Sequence, residues 1–431
     1  MNRKVILAGL FASLLTNLDL CGAVLGTNVP AAPLTAARIM ALPAGQQSAW
    51  AGYLRRSEDQ RRADQAALRQ EMSSRGLTHS LVPPSSRGVS TMPLGRSASW
   101  YGMQAGLHIA DVIVSFQTPS GGWSKNLDLA DHPRTAGEGF APDNSSRFVA
   151  ANDNDAVQAD RWSYVGTIDN GATTTELRYL AKVITALPPA RRAIYVGAFE
   201  RGVAYLLAAQ NPNGGWPQVW PLQGGYHDAV TYNDGAMLNV LSLLSDVAAG
   251  ADEFGFTAAE VRTRAAASAQ RGLKCILDSQ VIVAGRRTVW CQQHDALTLQ
   301  PTSARNYEMP SLCSGESAGI VAFLMNLPSP DTNTVAAVKA AVAWFEKTQI
   351  RDVEFRKVDQ RGRLLVPARG KGPLWARYYE IGTDRPIFGE RDKTIHDRVE
   401  EISVERRNGY AWFTGNPSSV LKKYPRWSAA R

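Results

Sequence analysis

The chain has 431 residues, a net charge of +8, and 44% apolar against 20% charged residues. These proportions exclude a disordered or fibrous protein and provide for one large or two medium domains with a substantial core. Most of the excess positive charge lies in residues 351–431. Such a surface attracts nucleic acid, anionic lipid or acidic polysaccharide, or is simply a solvated Arg-rich face.

The N-terminus reads as an export signal over residues 1–34. Arg3 and Lys4 precede the apolar run Val5–Leu15, and small residues recur from Gly22 to Ala32. The run is too short to span a bilayer, and no later stretch is long and apolar enough. A secreted or periplasmic protein is expected. Cys21 raises the option of a lipid anchor, but Asp19-Leu20 before it lack the small residues such a cleavage site prefers. Cys275, Cys291 and Cys313 then remain, enough for one pair but not for a disulfide framework, and their spacing makes no zinc site. Residues 35–95 read as a helical extension and linker. The stretch from Arg55 to Glu71 is strongly polar, and residues 76–97 carry Pro83-Pro84 with Ser and Gly. The main domain is expected over 96–431.

Helical patterns follow one another in that domain. Leu107, Ala110 and Val114 share a face, and Leu177, Leu180, Ile184 and Leu187 repeat at helical spacing. Thr173-x-x-Glu176 and Thr257-x-x-Glu260 match capping boxes, the second opening a helix to about Ser279. Further faces run through Val203–Leu207, Met237–Leu244, Ile320–Met325 and Val335–Phe345. Alternating strand patterns are scarce and fall mostly after residue 350. The pattern predicts a mainly α fold of antiparallel helix pairs, with irregular loops and a few short strands. Two helices run into the same phrase, Gln-x-Pro-x-Gly-Gly-Trp, at Gln117–Trp123 and Gln210–Trp216. Pro and two Gly stop a helix and permit positive φ, and the repeated Trp suggests an aromatic plate on one face, suited to a flat polar polymer such as a sugar chain.

Four polar segments carry the candidate chemistry. Thr167–Thr173 and Tyr232–Met237 each place Asp beside Asn and Gly just before a helix. The residues suit helix caps, and as a pair they also offer hard oxygen ligands to calcium. Asp153-Asn154-Asp155 is a third acidic patch but lacks the rest of a calcium loop. In the third segment His294-Asp295 with a later Ser suggests a hydrolase triad, yet no Gly-x-Ser-x-Gly elbow is present. A lone His is more often a structural hydrogen-bonder, and Arg305 is by default an ion-pair partner. The fourth segment, Trp375–Phe388 with Arg391 and Glu405–Trp412, combines Arg forks with aromatic rings. Such groups bind carboxylates and stack on sugar faces.

These segments resemble the pectate lyases of polysaccharide lyase family 10. The resemblance runs from about Trp100 to Trp427 through GGWSKN, TIDNGAT, NPNGGWPQ, TYNDGAM, WCQQHD, SARNYEMPS, RYYEIGTDRPIF and ERRNGYAW, in order. Residues 1–95 are not covered. The resemblance implies an (α/α) toroid with a groove across it, a monomer, and calcium-dependent cleavage of polygalacturonate by β-elimination. Asp169 and Asp234 would then be calcium ligands, with Asn170 hydrogen-bonding beside them on the substrate. Arg305 matches the family's proposed base, and Arg377 and Arg391 its substrate-binding arginines. Lys125, Arg385, Trp123 and Trp216 would also bind substrate. Ser124 stands where Pro is common and Cys313 where Ser is usual, neither on the proposed chemistry.

The implied reaction asks for these residue types. The C5 proton of a galacturonate is not acidic enough alone, and positive charge on the C6 carboxylate stabilises the developing enolate. An Arg base has a pKa above ~12, so the resemblance implies depression by calcium together with neighbours such as Lys125, Arg377 and Arg391, and an alkaline optimum. Two other readings stand beside it. A terpene cyclase shares the toroid and the Gln/Trp spacing, but needs Asp-rich motifs and an apolar cavity. A non-catalytic pectin-binding protein would keep the tryptophans and arginines without the calcium–Arg pair. Nucleic-acid binding finds no module pattern.

Overall fold

The structure is a computed structural model that describes residues 24–87, 91–130, 132–144 and 162–429; Asp153–Asp155 lies outside them. The predicted helices are present. The extension forms α1 (Ala36–Met40) and α2 (Ala44–Ser74). The main domain follows with α3 (Gln104–Ser115), α4 (Thr174–Ala186), α5 (Ala193–Ala209), α6 (Ala236–Ala249) and α7 (Ala259–Asp278). Then come α8 (Ser314–Met325) and α9 (Thr332–Thr348). Strands are short, the longest pairing Val353–Lys357 with Arg363–Pro367.

The helices alternate between two layers. Helix α6 neighbours α4 and α8 in one layer, and α3, α5, α7 and α9 neighbour in succession in the other. Consecutive helices pack as pairs, α4 with α5, α6 with α7 and α8 with α9. Apolar residues at helical spacing explain the arrangement. Leu177, Leu180 and Ile184 of α4 and Val240, Leu241 and Leu244 of α6 are all buried. The result is a toroid of antiparallel helix pairs.

The Gly-Gly-Trp phrases are the hinges of this repeat. Trp123 and Trp216 are fully buried, so neither can stack on a substrate as the resemblance implied. Each indole N–H instead donates back to the helix just left, Trp123 to Ile113 O (2.7 Å) and Trp216 to Leu206 O (2.8 Å). The rings fill slots made by glycines on the next flanking helix. A Cβ on Gly202 would lie 2.9 Å from Trp123, and one on Gly272 would lie 2.7 Å from Trp216. The Gln that opens each phrase staples neighbouring pairs. Gln117 Nε2 donates to Gly121 O and Ala198 O, and Gln210 Nε2 to Gly214 O and Ser268 O.

Two further turns of the repeat have lost the phrase but kept the geometry. Gln280 Nε2 donates to Thr288 O and Ala337 O, and Trp290 donates to Ile276 O (2.7 Å). Trp375 donates to Phe345 O (2.9 Å).

Both predicted capping boxes fail. Thr173 has φ 64° and no side-chain cap bond. Its hydroxyl donates to Thr167 O (2.8 Å) and accepts from Trp123 N (3.0 Å), tying the Trp turn to the segment before α4. Thr257 donates to Phe254 O, and α7 starts two residues later without a side-chain cap. The C-terminal part holds two helices that its sequence pattern hides: α10 (Val404–Gly409) and α11 (Pro417–Ala429), the latter packed on α8 and α9.

The N-terminal segment is built into the domain. Gly26–Thr27 pairs antiparallel with Thr394–Ile395, and Leu34 is buried in the main core. Residues 24–34, read from sequence as part of a leader, therefore include two buried side chains, Asn28 and Leu34, and ladder hydrogen bonds. Arg38 pairs with Asp295 (2.6 Å), Tyr53 donates to Ala209 O, and Arg134 pairs with Glu71.

Candidate active site

Each inner helix begins at the same end of the toroid, so the segments leading into them converge. Before α4 the chain makes the turn Asp169–Gly171, and before α6 the turn Asn233–Gly235. The two turns are copies. Their middle residues, Asn170 (φ 53°, ψ 26°) and Asp234 (φ 51°, ψ 25°), are left-handed, and Gly171 and Gly235 follow with positive φ. Asn and Asp tolerate that conformation better than other residues with a Cβ. It turns both exposed side chains outward at the cleft, while Asp169 and Asn233 stay buried.

The cleft measures about 130 Å³ and is lined by Lys125, Asp169, Asn170, Asp234, Arg305 and Glu308, with Gln218, Asn233, Gln292 and Gln293 among the rest. Asp234 also borders a larger hollow of about 340 Å³, walled by Glu316 and Arg377 and floored by Gly315 and Gly319. The two hollows meet at Asp234 and together make the groove.

Electrostatics in this groove is tightly coupled. Lys125 Nζ lies 2.7 Å from Asp169 Oδ2, and its ammonium sits 3.5 Å from the Tyr164 ring centroid. Burial raises the Asp169 pKa, but the Lys125 charge and hydrogen bond, with Gln218, bring it below the usual carboxylate value. Its Oδ1 is buried without a hydrogen-bond partner among the described residues. Asp234 is shifted up, by desolvation first and then by the Asp169 charge. Two carboxylates close enough to repel, one with an orphaned oxygen, fit a divalent cation that prefers hard oxygens. No group of three His, Cys, Asp or Glu capable of holding a metal exists among the described residues. A cation on the Asp169–Asp234 pair would therefore complete its shell with amide or carbonyl oxygens, water or substrate carboxylates.

Arg305 reaches the cleft from the loop before α8. Its Nε lies 2.9 Å from Glu308 Oε2 and its Nη2 2.6 Å from Oε1, a bidentate clamp. Tyr307 and Tyr410 flank the guanidinium at 5.0 and 5.6 Å. Burial disfavours the charged form, yet the Glu308 charge and hydrogen bonds overrule it, and the Arg305 pKa is held well above the usual Arg value. Glu308 is correspondingly pushed down to about 2, against burial, chiefly by Arg305. Among the protein's own groups, Glu308 thus outweighs the neighbouring cations expected to depress Arg305. Those cations are each engaged by an acid of their own: Lys125 by Asp169, Arg377 by Glu316 and Arg391 by Glu405.

Arg377 borders the groove, donating to Asn233 Oδ1 (2.9 Å) and lying 4.7 Å from the Tyr410 ring. Arg391 stands one layer behind, 5.6 Å from the Tyr307 ring. Arg385 is at neither hollow; it pairs with Glu380 (3.1 Å) and Asp397 (3.3 Å) on the surface. His294 is fully buried, its Nδ1 bonded to Leu299 O and its Nε2 accepting from Cys291 N. Burial pushes its pKa down to about 4. Ser303 donates to Val29 O, so the triad option falls. Cys275, Cys291 and Cys313 are buried and free. The residues missed from sequence are Glu308 and the Gln218, Gln292 and Gln293 amides. Only the neighbourhood of Arg305 and of the Trp turns signalled them.

The fold is a helical toroid with a polar cleft where its inner helices begin. A family model described as pectic acid lyase matches residues 117–421, and the chain belongs to that family. It is similar to the family 10 polysaccharide lyase from Cellvibrio cellulosa, at 33% identity and TM-score 0.63 over 77% of this chain and 94% of that one. It is also similar to an aspartate-to-alanine mutant of the Cellvibrio lyase in complex with trigalacturonic acid, at 32% identity and TM-score 0.63, covering 78% and 98%. Among curated proteins none matches. The protein is a pectate lyase. No helix among the described residues is long and apolar enough to cross a membrane.

Proposed function

We propose that this lyase cleaves α-1,4-polygalacturonate by calcium-dependent β-elimination, with Arg305 as the base, and that it is exported to do so. The observation that carries the reading is the convergence of Asp169, Asp234 and Arg305 on one cleft. Calcium held by Asp169 and Asp234 would supply positive charge to the substrate's C6 carboxylate, lowering the C5 proton's pKa.

The chain's own residues do the rest. Arg377, fixed between Glu316 and the Tyr410 face, offers a guanidinium to a second uronate. Arg305 takes the C5 proton, the C5 electron pair forms the C4–C5 double bond, and the C4–O bond breaks. The leaving oxygen takes a proton from water. The products are a new reducing end and a 4,5-unsaturated uronide. Because Glu308 holds Arg305 protonated, only a small neutral fraction exists near neutrality, and the rate should climb with pH.

The same clamp favours a second reading, in which Arg305 stays cationic and stabilises the developing charge. Absorbance of the unsaturated uronide, on polygalacturonate with and without chelator, tests the reaction. Turnover in excess chelator would reject the calcium step, and no uronide with calcium present would reject the elimination.

A further inference from the structure

The N-terminal segment reaches the Arg305 loop from outside the matched family region, which begins at residue 117. Leu25 N donates to Ile395 O (2.8 Å) and Asn28 N to Lys393 O (2.7 Å), so the segment runs as an added strand beside the hairpin carrying Arg391. Asn28 is 3% exposed. Its Nδ2 donates to Arg305 O (3.1 Å) and to Asn306 O (2.9 Å). Asn306 in turn donates to Arg391 O (2.8 Å). The Asn28 carboxamide thus ties the N-terminal strand to the backbone of the Arg305 loop, the Asn306 carboxamide ties that loop to the Arg391 hairpin, and the residue after Asn28, Val29, accepts from Ser303.

We infer that Asn28 is a positioning residue, and that residues 25–29 form a strap setting where Arg305 stands over the cleft. This rests on Arg305 acting in the reaction. The Arg305 side chain is already fixed to Glu308 by two hydrogen bonds. What remains adjustable is the carrier loop, whose carbonyls at 305 and 306 Asn28 holds. A displacement of about 1 Å in a reacting group can lower turnover on the order of a hundredfold.

The test uses the full chain. Asn28→Asp keeps the shape, removes both donors and sets a carboxylate against two carbonyls; Asn28→Ser keeps one donor. Asn28→Asp should lower kcat about 10- to 100-fold with KM on polygalacturonate changed little, and Asn28→Ser should recover part of the loss. Leu34→Ala, at a buried residue of the same N-terminal segment outside the strap, should lower Tm while kcat is kept. Wild-type kcat in Asn28→Asp, whatever its Tm, would overturn the inference; if that variant does not fold, Asn28→Ser decides by the same criterion. Arg305→Ala separates the two claims. If it is active, the role of Arg305 falls and the strap's with it. If it is inactive while Asn28→Asp is normal, the strap's role alone falls.

Discussion

At the scale of single residues, the Arg305–Glu308 clamp governs the chemistry. Arg305→Ala should abolish uronide formation while thermal unfolding stays cooperative. Glu308→Gln distinguishes a base from a fixed cation. Glu308 is the main group raising the Arg305 pKa, so removing its charge lowers that pKa. If Arg305 is the base, the alkaline limb of the pH–rate profile should move to lower pH. If Arg305 acts as a cation, the rate should fall with no such move. Asp169 and Asp234 make a separate prediction that needs no turnover. A cation bound only by the folded protein stabilises it, so calcium should raise Tm in the native chain, and Asp169→Asn or Asp234→Asn should lose most of that rise. A calcium-independent Tm would count against the pair as ligands.

At the scale of elements, the toroid depends on tryptophans seated on glycines. A Cβ at Gly272 would lie 2.5 Å from Leu241 and 2.7 Å from Trp216, both buried. Overpacking of this kind costs about 1–3 kcal/mol. Gly272→Ala should therefore lower the unfolding free energy by that amount and the urea midpoint with it, and Gly202→Ala, against Leu177 and Trp123, should do the same. An unchanged midpoint in both would mean that the helices slide apart freely and the slots are not tight. The first two hinges were legible as a phrase because Pro and the Gly pair survive there. The hinges at Trp290 and Trp375 were not, because a longer strand-bearing connection replaced the Pro-Gly turn while the indole-to-carbonyl bond remained. The sequence likewise marked Trp123 and Trp216 as important but put them on the wrong side. An aromatic after a tight turn can face solvent or core, and only the glycine slot on a distant helix decides.

At the scale of the whole molecule, stability and working pH pull against each other. Glu176 at the start of α4 is fully buried, and neither carboxylate oxygen has a hydrogen-bond partner among the described residues. Burial raises its pKa from 4.5 to about 8, only partly offset by the N–H groups of Glu176 and Thr173. The folded state thus keeps a proton that the unfolded chain releases. This contribution is full below about pH 4.5, falls as pH rises, and is gone once pH passes about 8. Glu176→Gln should lie close to the native chain in Tm at pH 5 and exceed it increasingly up to about pH 9. Parallel Tm curves across that range would show that the carboxyl is solvated. An alkaline-acting lyase would carry this penalty at its working pH.

The amino-acid sequence by itself determined helices α3 to α9, the pairing of consecutive helices and the Asp, Asn and Arg residues at the groove. Helical periodicity and turn chemistry are local, and charged side chains before helices advertise themselves. Tertiary structure alone decided which charges meet. Lys125 captures Asp169, Glu316 captures Arg377, Arg385 is drawn to surface acids, and a strand at Gly26–Thr27 closes behind the Arg305 loop. Those outcomes depend on which segments the toroid brings within a few ångströms, and Coulomb energies and hydrogen bonds at that range have no signature in the order of residues along the chain.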